Sequence, residues 1–252
     1  MTIERALPAI LLGWLLLGSE AAAVDAVLDW DRETLLSLPV KGVVTRLEVR
    51  PGDTVAKGAL LLELDQRPFR NRVEALVANL RKLEAVLQEA RRELERAEEL
   101  YDRTVLSEHE LQVAKNAHIA AQAEYESGRA DLTAARLARE YSRLRAPFAL
   151  RVLACRVAIG QTVVGDLRPT PVLRVAAADT MRAVATVTPE TAARLRPDQT
   201  LVVRIGADQE SGTLVAIEPV GDDSGMAYRL AVRLARKDRP WLAGQRAVIE
   251  LP

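Results

Sequence analysis

Between Phe69 and Tyr101 apolar residues recur on an alternating four-three spacing: Phe69, Val73, Leu76, Leu80, Leu83, Leu87, Ala90, Leu94, Ala97 and Tyr101. Side chains at that interval form the single stripe of a heptad seam, and charged residues fill the positions between them. Pro68 stands at the start, where a helix tolerates proline because the missing N–H has no partner to lose. The rhythm breaks after Tyr101 and resumes as Leu111, Ala114, His118, Ala121, Tyr125, Gly128, Leu132 and Ala135. This second seam is rich in small residues, so the first can nest against it. Gly128 costs its helix about 1 kcal/mol relative to alanine. Pro147 disfavours helix at the residue before it, so the second helix is expected to stop near Arg145. Together the two seams predict an antiparallel helical hairpin, each arm about 55 Å long at 1.5 Å rise per residue.

Two related β segments flank this insertion. The first, "VKGVVTRLEVRPGDTVAKGALLLELD" (residues 40–65), alternates short Val- and Leu-rich runs with Gly42, Pro51-Gly52-Asp53 and Lys57-Gly58, the pattern of strands joined by tight turns. The second, "LRVLACRVAIGQTVVGDLRPTPVLRVA" (residues 150–176), repeats it. Setting Gly160 on Gly52 places Val152 on Val44, Val157 on Val49, Thr162 on Thr54 and Val163 on Val55. Either half alone is too small to bury a core. Packing on each other would satisfy both, and would bring the two ends of the insertion together.

Beyond Asp179 the texture changes again. "MRAVATVTPETAARLRPDQTLVVRIG" reads as a strand, a short helix and a strand; "SGTLVAIEPV", "MAYRLAVRLA" and "AGQRAVIELP" read as further strands. This spacing suggests a compact antiparallel β-barrel. At the other end, "MTIER", the apolar run "ALPAILLGWLLLG" and the small residues of "SEAAAVDA" follow the order of a cleavable secretory signal, with cleavage expected after Ala23. That run is shorter than the ~20 residues that span a bilayer.

The chain offers little to catalysis. Its 35 basic and 35 acidic residues cancel, and aromatics make up only 4%, which disfavours nucleic acid as a partner. A lone cysteine, Cys155, excludes an internal disulfide and reads as a small strand residue. No Gly-rich phosphate loop, nucleophile elbow or metal-ligand spacing occurs. His109 and His118 project from opposite sides of a helix, so they cannot share a metal, and His118 falls on the seam. Glu95, Glu98 and Glu99 read as solvated helix surface, and the three methionines form no soft-metal relay. The duplicated halves resemble the swinging-arm domains that carry lipoate or biotin. Those carriers hold the cofactor on a lysine at the turn joining the halves, whereas here the junction reads "LDQRPF". No cofactor is expected.

The order of these pieces resembles the periplasmic adaptors, or membrane fusion proteins, of tripartite efflux pumps in Gram-negative bacteria, most closely those of the resistance-nodulation-division (RND) type. "GVVTRLEVRPGDTVAKGALLLELD" is similar to that family's first lipoyl half, "YSRLRAPF" to the return from its hairpin, and "VTPETAARLRPDQ" and "WLAGQRAVIEL" to parts of its barrel. The resemblance implies a multidomain α+β chain: a signal peptide (1–23), an N-terminal segment with the first half of a split lipoyl-like β domain (24–66), an inserted antiparallel α-helical coiled-coil hairpin (67–145), the second lipoyl half (146–178) and a small antiparallel β-barrel (179–252). It also implies a non-enzymatic periplasmic homo-oligomer, hexameric in the family, linking an inner-membrane transporter to a TolC-like outer-membrane channel. An adaptor of an ABC-type exporter is the alternative within the class, and a lipoyl or biotinyl carrier the alternative outside it.

In the family, the hairpin tip grips the channel through an Arg, a Leu four residues on and a Ser seven further. Arg96, Leu100 and Ser107 match that spacing. From the residues themselves, Arg96, Leu100 and Arg103 share one face within about 40°. Leu100 lies beside the seam, and "SEHE" from Ser107 fits a capping box. Two departures carry expectations of their own. Leu150 stands where the family turns on glycine, so that corner is expected to be built differently. The chain also ends at Pro252, directly after the barrel, so the membrane-proximal domain of the family is expected to be missing or vestigial.

Overall fold

The computed structural model describes residues 23–164, 169–222, 225–236 and 239–252 of the chain. The apolar run of the expected signal peptide lies outside the described residues. In chain order come β1 (Ala23–Trp30), β2 (Thr34–Ser37), β3 (Gly42–Leu47), β4 (Thr54–Val55) and β5 (Leu60–Leu64). Two long helices follow, α1 (Arg67–Asp102) and α2 (Glu108–Tyr141), and then β6 (Arg143–Arg145), β7 (Leu150–Cys155), β8 (Thr162–Val163) and β9 (Pro171–Ala177). The remainder is β10 (Thr180–Val187), α3 (Pro189–Arg194), β11 (Thr200–Ile205), β12 (Asp208–Asp222), β13 (Gly225–Ala235) and β14 (Arg246–Glu250). The chain divides into two compact units, one of residues 32–179 and one joining the segment up to Asp31 with residues 180–252.

In the first unit, two four-stranded sheets carry the orders β2-β9-β7-β4 and β6-β5-β3-β8. Each sheet borrows a strand from the other half-motif. Gly42 and Val43 of β3 pair with Val163 and Thr162 of β8, and Thr54 and Val55 of β4 pair with Arg151 and Leu150 of β7. The halves therefore cannot fold apart. Their shared core includes Val44, Leu61, Leu64, Leu150, Val152, Val163 and Leu173, each no more than 1% exposed. Burial of each such side chain contributes about 1.5–3 kcal/mol. Leu150 is fully buried in that core. At the matching position, Gly42 lies so close to the side chain of Leu64 that an added Cβ would sit 3.1 Å from Leu64 Cδ1.

α1 and α2 fold back along each other. Of the first seam, Phe69 through Ala97 are half-buried or buried, with Leu76 at 8%. All of the second seam is half-buried or buried, with Leu111, Ala121, Gly128 and Leu132 innermost. The small residues serve the purpose expected of them: an added Cβ on Gly128 would come within 2.6 Å of Leu83 Cδ1. The end of the second helix differs from expectation. α2 stops at Tyr141, and residues 143–145 are the edge strand β6, paired with β5 through Leu60↔Arg145, Leu62↔Leu144 and Glu63↔Arg143. The edge of β5 offers a ladder that a further helical turn would leave unpaired, and it draws the chain out of helix before Pro147 does.

The second unit is a closed barrel in the order β1-β10-β13-β12-β11-β14. It departs from the expected 179–252 by recruiting β1, which pairs with both β10 and β14 and closes the ring. Alternation explains the recruitment: Ala26 and Leu28 point into the core at 4% and 1% exposure, while Asp25 and Val27 face outward. Met181, Val203, Leu214, Leu230, Val232 and Ile249 complete the interior. The short helix α3 is capped by Thr188, whose hydroxyl accepts from the Thr191 N–H.

Candidate functional site

The five residues between α1 and α2 form a turn with both ends fastened. Thr104 takes a left-handed φ of 57°, its N–H donates to Tyr101 O at 2.8 Å, and the Val105 N–H donates to Leu100 O at 3.0 Å. These two bonds are a Schellman motif, which satisfies carbonyls left free at the end of α1. Ser107 opens α2 with the expected capping box. Its hydroxyl accepts from the Glu110 N–H at 3.3 Å, and its own N–H donates to Glu110 Oε2 at 2.9 Å. The Ser107 side chain and then its backbone N–H, both bonded to the Glu110 carboxylate, hold that group below the usual glutamate range. The result is a rigid turn with Val105 at its apex, 71% exposed.

The three residues picked from the sequence all lie at this end. Arg96 is exposed and pairs with Glu93 at 2.7 Å. Ser107 is exposed, its role as cap filled. Leu100 is where the structure corrects the reading. It is half-buried, whereas Tyr101, assigned to the seam, is 38% exposed. The Val105 N–H bonds the carbonyl of Leu100 itself, and Tyr101, one position on, is the more exposed of the two. Sequence reasoning missed Thr104 and Val105. A Schellman motif is normally signalled by Gly or Asn at the left-handed position, and "RTVLS" has neither.

Among the described residues, no group of three or more His, Cys, Asp or Glu is placed to hold a metal. His118 lies half-buried on the seam with its Nδ1 buried and unbonded, beside a cleft of about 410 Å³ lined by Glu84, Arg91, Gln122 and Tyr125. Cys155 is half-buried at the end of β7, its thiol 3.7 Å from Val49 O. Burial, and secondarily the charge of Asp53, pushes that thiol up. No described helix is long and apolar enough to cross a membrane.

The structure of the membrane fusion protein Spr0693 from Streptococcus pneumoniae matches 92% of this chain and 99% of its own, with a TM-score of 0.72 at 12% identity. A MacA-MexA chimera containing the Pseudomonas aeruginosa MexA α-hairpin domain matches 92% of this chain and 79% of its own, with a TM-score of 0.63 at 18% identity. The fold is that of the membrane fusion proteins, and the resemblance to efflux-pump adaptors read from the sequence is borne out. In sequence the chain is similar to the multidrug resistance protein MdtA of Photorhabdus laumondii, 28% identical over 160 residues that cover 64% of this chain and 37% of that protein. MdtA of Erwinia amylovora is 33% identical over 124 residues, covering 49% of this chain and 31% of its own. The chain thus spans about a third of the length of these curated relatives. No protein-family model matches it.

Proposed function

We propose that this chain is a non-enzymatic periplasmic adaptor of a drug-efflux assembly. The observation that carries the reading is the exposed turn around Val105, fastened by two capping motifs at the far end of a helix pair whose base is tied into a duplicated β sandwich. In this reading the sandwich is a split lipoyl-like domain and the helix pair a coiled-coil hairpin. The turn docks on a TolC-like outer-membrane channel through Arg96, Leu100 and Ser107. Copies of the chain, exported by a cleaved leader, associate into a tube over an inner-membrane transporter of the RND type. The adaptor aligns and seals the conduit and makes no bonds. Similarity to two MdtA multidrug resistance proteins supports export of small molecules as the task.

The test uses cells whose drug resistance depends on this adaptor. Arg96→Ala and Leu100→Asp should each lower resistance and cross-linking of the turn to the channel, with adaptor levels unchanged. Arg96→Ala is the cleaner arm, since Arg96 is exposed and pairs with Glu93 of its own helix, whereas Leu100 is half-buried. Full resistance in both variants would refute the assignment.

A further inference from the structure

The barrel closes with a notch beside β14. β11 and β14 pair through Val202↔Glu250, Val203↔Ile249 and Arg204↔Val248, whereas the ladder on the other side of β14 runs on through Ala26↔Ala247 to Val27↔Arg246 of β1 and β14. β11 leaves the ring because Gly206, left-handed at φ 61°, opens the turn that carries the chain from Ile205 back to its β12 partner Asp208. Ala247 and Arg246 therefore overhang the end of β11. A cleft of about 740 Å³ lies at the overhang, within the size range of small-molecule sites.

Strand alternation sorts its lining. Ala26 and Ala247 are buried and form the floor, while Asp25, Val27, Arg204 and Arg246 are exposed on the outer face with Val248 half-buried among them. Arg204 stands opposite Val248, so Arg246, two residues before Val248, is its diagonal neighbour. That spacing is typically ~7–8 Å, short enough for two arginine side chains to meet over one ligand group. Gly206 leaves the corner between them open, since no heavy atom lies within 4 Å of an added Cβ there. Arg204 Nε meets Glu250 Oε1 at 3.2 Å, which leaves its terminal nitrogens for a further acceptor. With Asp25 and Glu250 counted, the notch as a whole is balanced, and its positive end is the Arg204–Arg246 corner.

We propose that this notch binds a small organic monoanion, an aromatic sulfonate or carboxylate. The anion lies between Arg204 and Arg246, whose planar guanidiniums match such oxyanions with paired N–H donors. The apolar body covers Val27, 48% exposed, and Val248. Asp25 shares the Val248 rung on the side away from Arg204, so it repels a second anionic group and limits the ligand to one. The notch stands whether or not the turn at Val105 docks on a channel.

Fluorescence titration of the purified chain with anilinonaphthalene sulfonate tests this, beside uncharged phenylnaphthylamine, which offers a similar ring body without the anion. The parent should prefer the sulfonate. Arg246→Ala and Arg204→Ala should each weaken sulfonate binding about five- to tenfold, the loss of one charge-assisted contact, and leave the uncharged probe and the circular dichroism unchanged. Glu250→Gln, which removes the carboxylate competing for Arg204, should tighten the sulfonate. Arg246 is exposed, so its variant guards against a folding defect in Arg204→Ala, which also loses the Glu250 contact. Parental sulfonate affinity in both arginine variants, or no preference of the parent for the sulfonate, overturns the proposal.

Discussion

Gly52 and Gly160 make the same hydrogen bond from opposite halves of the sandwich: the Gly52 N–H donates to Val152 O and the Gly160 N–H to Val44 O, both at 2.8 Å. Both residues are left-handed, at φ 100° and 89°. Their neighbours reciprocate, Val152 N–H to Asp53 O and Val44 N–H to Gln161 O, both at 2.9 Å. Even the turn side chains match, since Asp53 accepts from the Arg50 N–H and Gln161 from the Ala158 N–H. The repeat seen in the sequence is thus a local two-fold in which each half completes the other, and it closes the base from which the helix pair springs.

Gly52→Ala and Gly160→Ala should therefore cost nearly the same. No heavy atom lies within 4 Å of an added Cβ at either position, so the penalty is backbone strain alone, about 1–2 kcal/mol each. Chemical denaturation of the two single variants measures it. A difference larger than about 1 kcal/mol would mean that the halves are not energetically equivalent.

The periodic parts of the fold were legible because burial imposes period: the two seams, the paired half-motifs and the strands from Met181 onward follow from spacing alone. What escaped was set by tertiary partners. β1 alternates Val24, Ala26 and Leu28 against Asp25, Val27 and Asp29, but the strand has meaning only once β10 and β14 flank it. The end of α2 is decided by the edge of β5, and the turn after Tyr101 lacks the usual residue for its left-handed conformation. Resemblance and spacing alone point to Arg96, Leu100 and Ser107. Val105 is visible only in three dimensions.

Gly128 sets two magnitudes against each other. Alanine would gain about 1 kcal/mol of helix propensity. It would also push a Cβ to within 2.6 Å of Leu83 Cδ1, and overpacking of that kind costs about 1–3 kcal/mol. Packing should win, so Gly128→Ala lowers stability modestly. Adding Leu83→Val should recover much of the loss, which thermal melts of the single and double variants will read as non-additivity.

Asp65 provides a test in acid. The Arg67 side chain, and then its backbone N–H, hold the Asp65 carboxyl at about 2, against an ordinary value of 3.8. A depressed carboxylate contributes its stability in full above the ordinary value and loses it as pH falls toward about 2. Glu110, lowered by Ser107, follows the same sign. Carboxyl resonances followed by NMR should show Asp65 titrating near 2 in the parent. Arg67→Ala should raise it toward the ordinary range without reaching it, because the N–H of residue 67 still donates to the carboxylate, and Ser107→Ala should do the same for Glu110 alone.

In the barrel, Asp31 and Arg233 are unequal partners, and the inequality predicts which deletion costs more. The Asp31 side chain is 4% exposed and that of Arg233 46%, with Nε 2.9 Å from Oδ2. Thr180 Oγ1 donates to the same oxygen at 2.8 Å. Removing the carboxylate in Asp31→Ala frees a guanidinium that already reaches water, so the loss is that of the bonds themselves, about 1–3 kcal/mol. Removing the guanidinium in Arg233→Met strands a buried carboxylate with Thr180 as its remaining side-chain donor, a penalty nearer 3–5 kcal/mol. Denaturation followed by the fluorescence of Trp30 and Trp241, both in the barrel, should rank Arg233→Met as the less stable variant. The reverse order would mean that Asp31 is better hydrated than its burial implies.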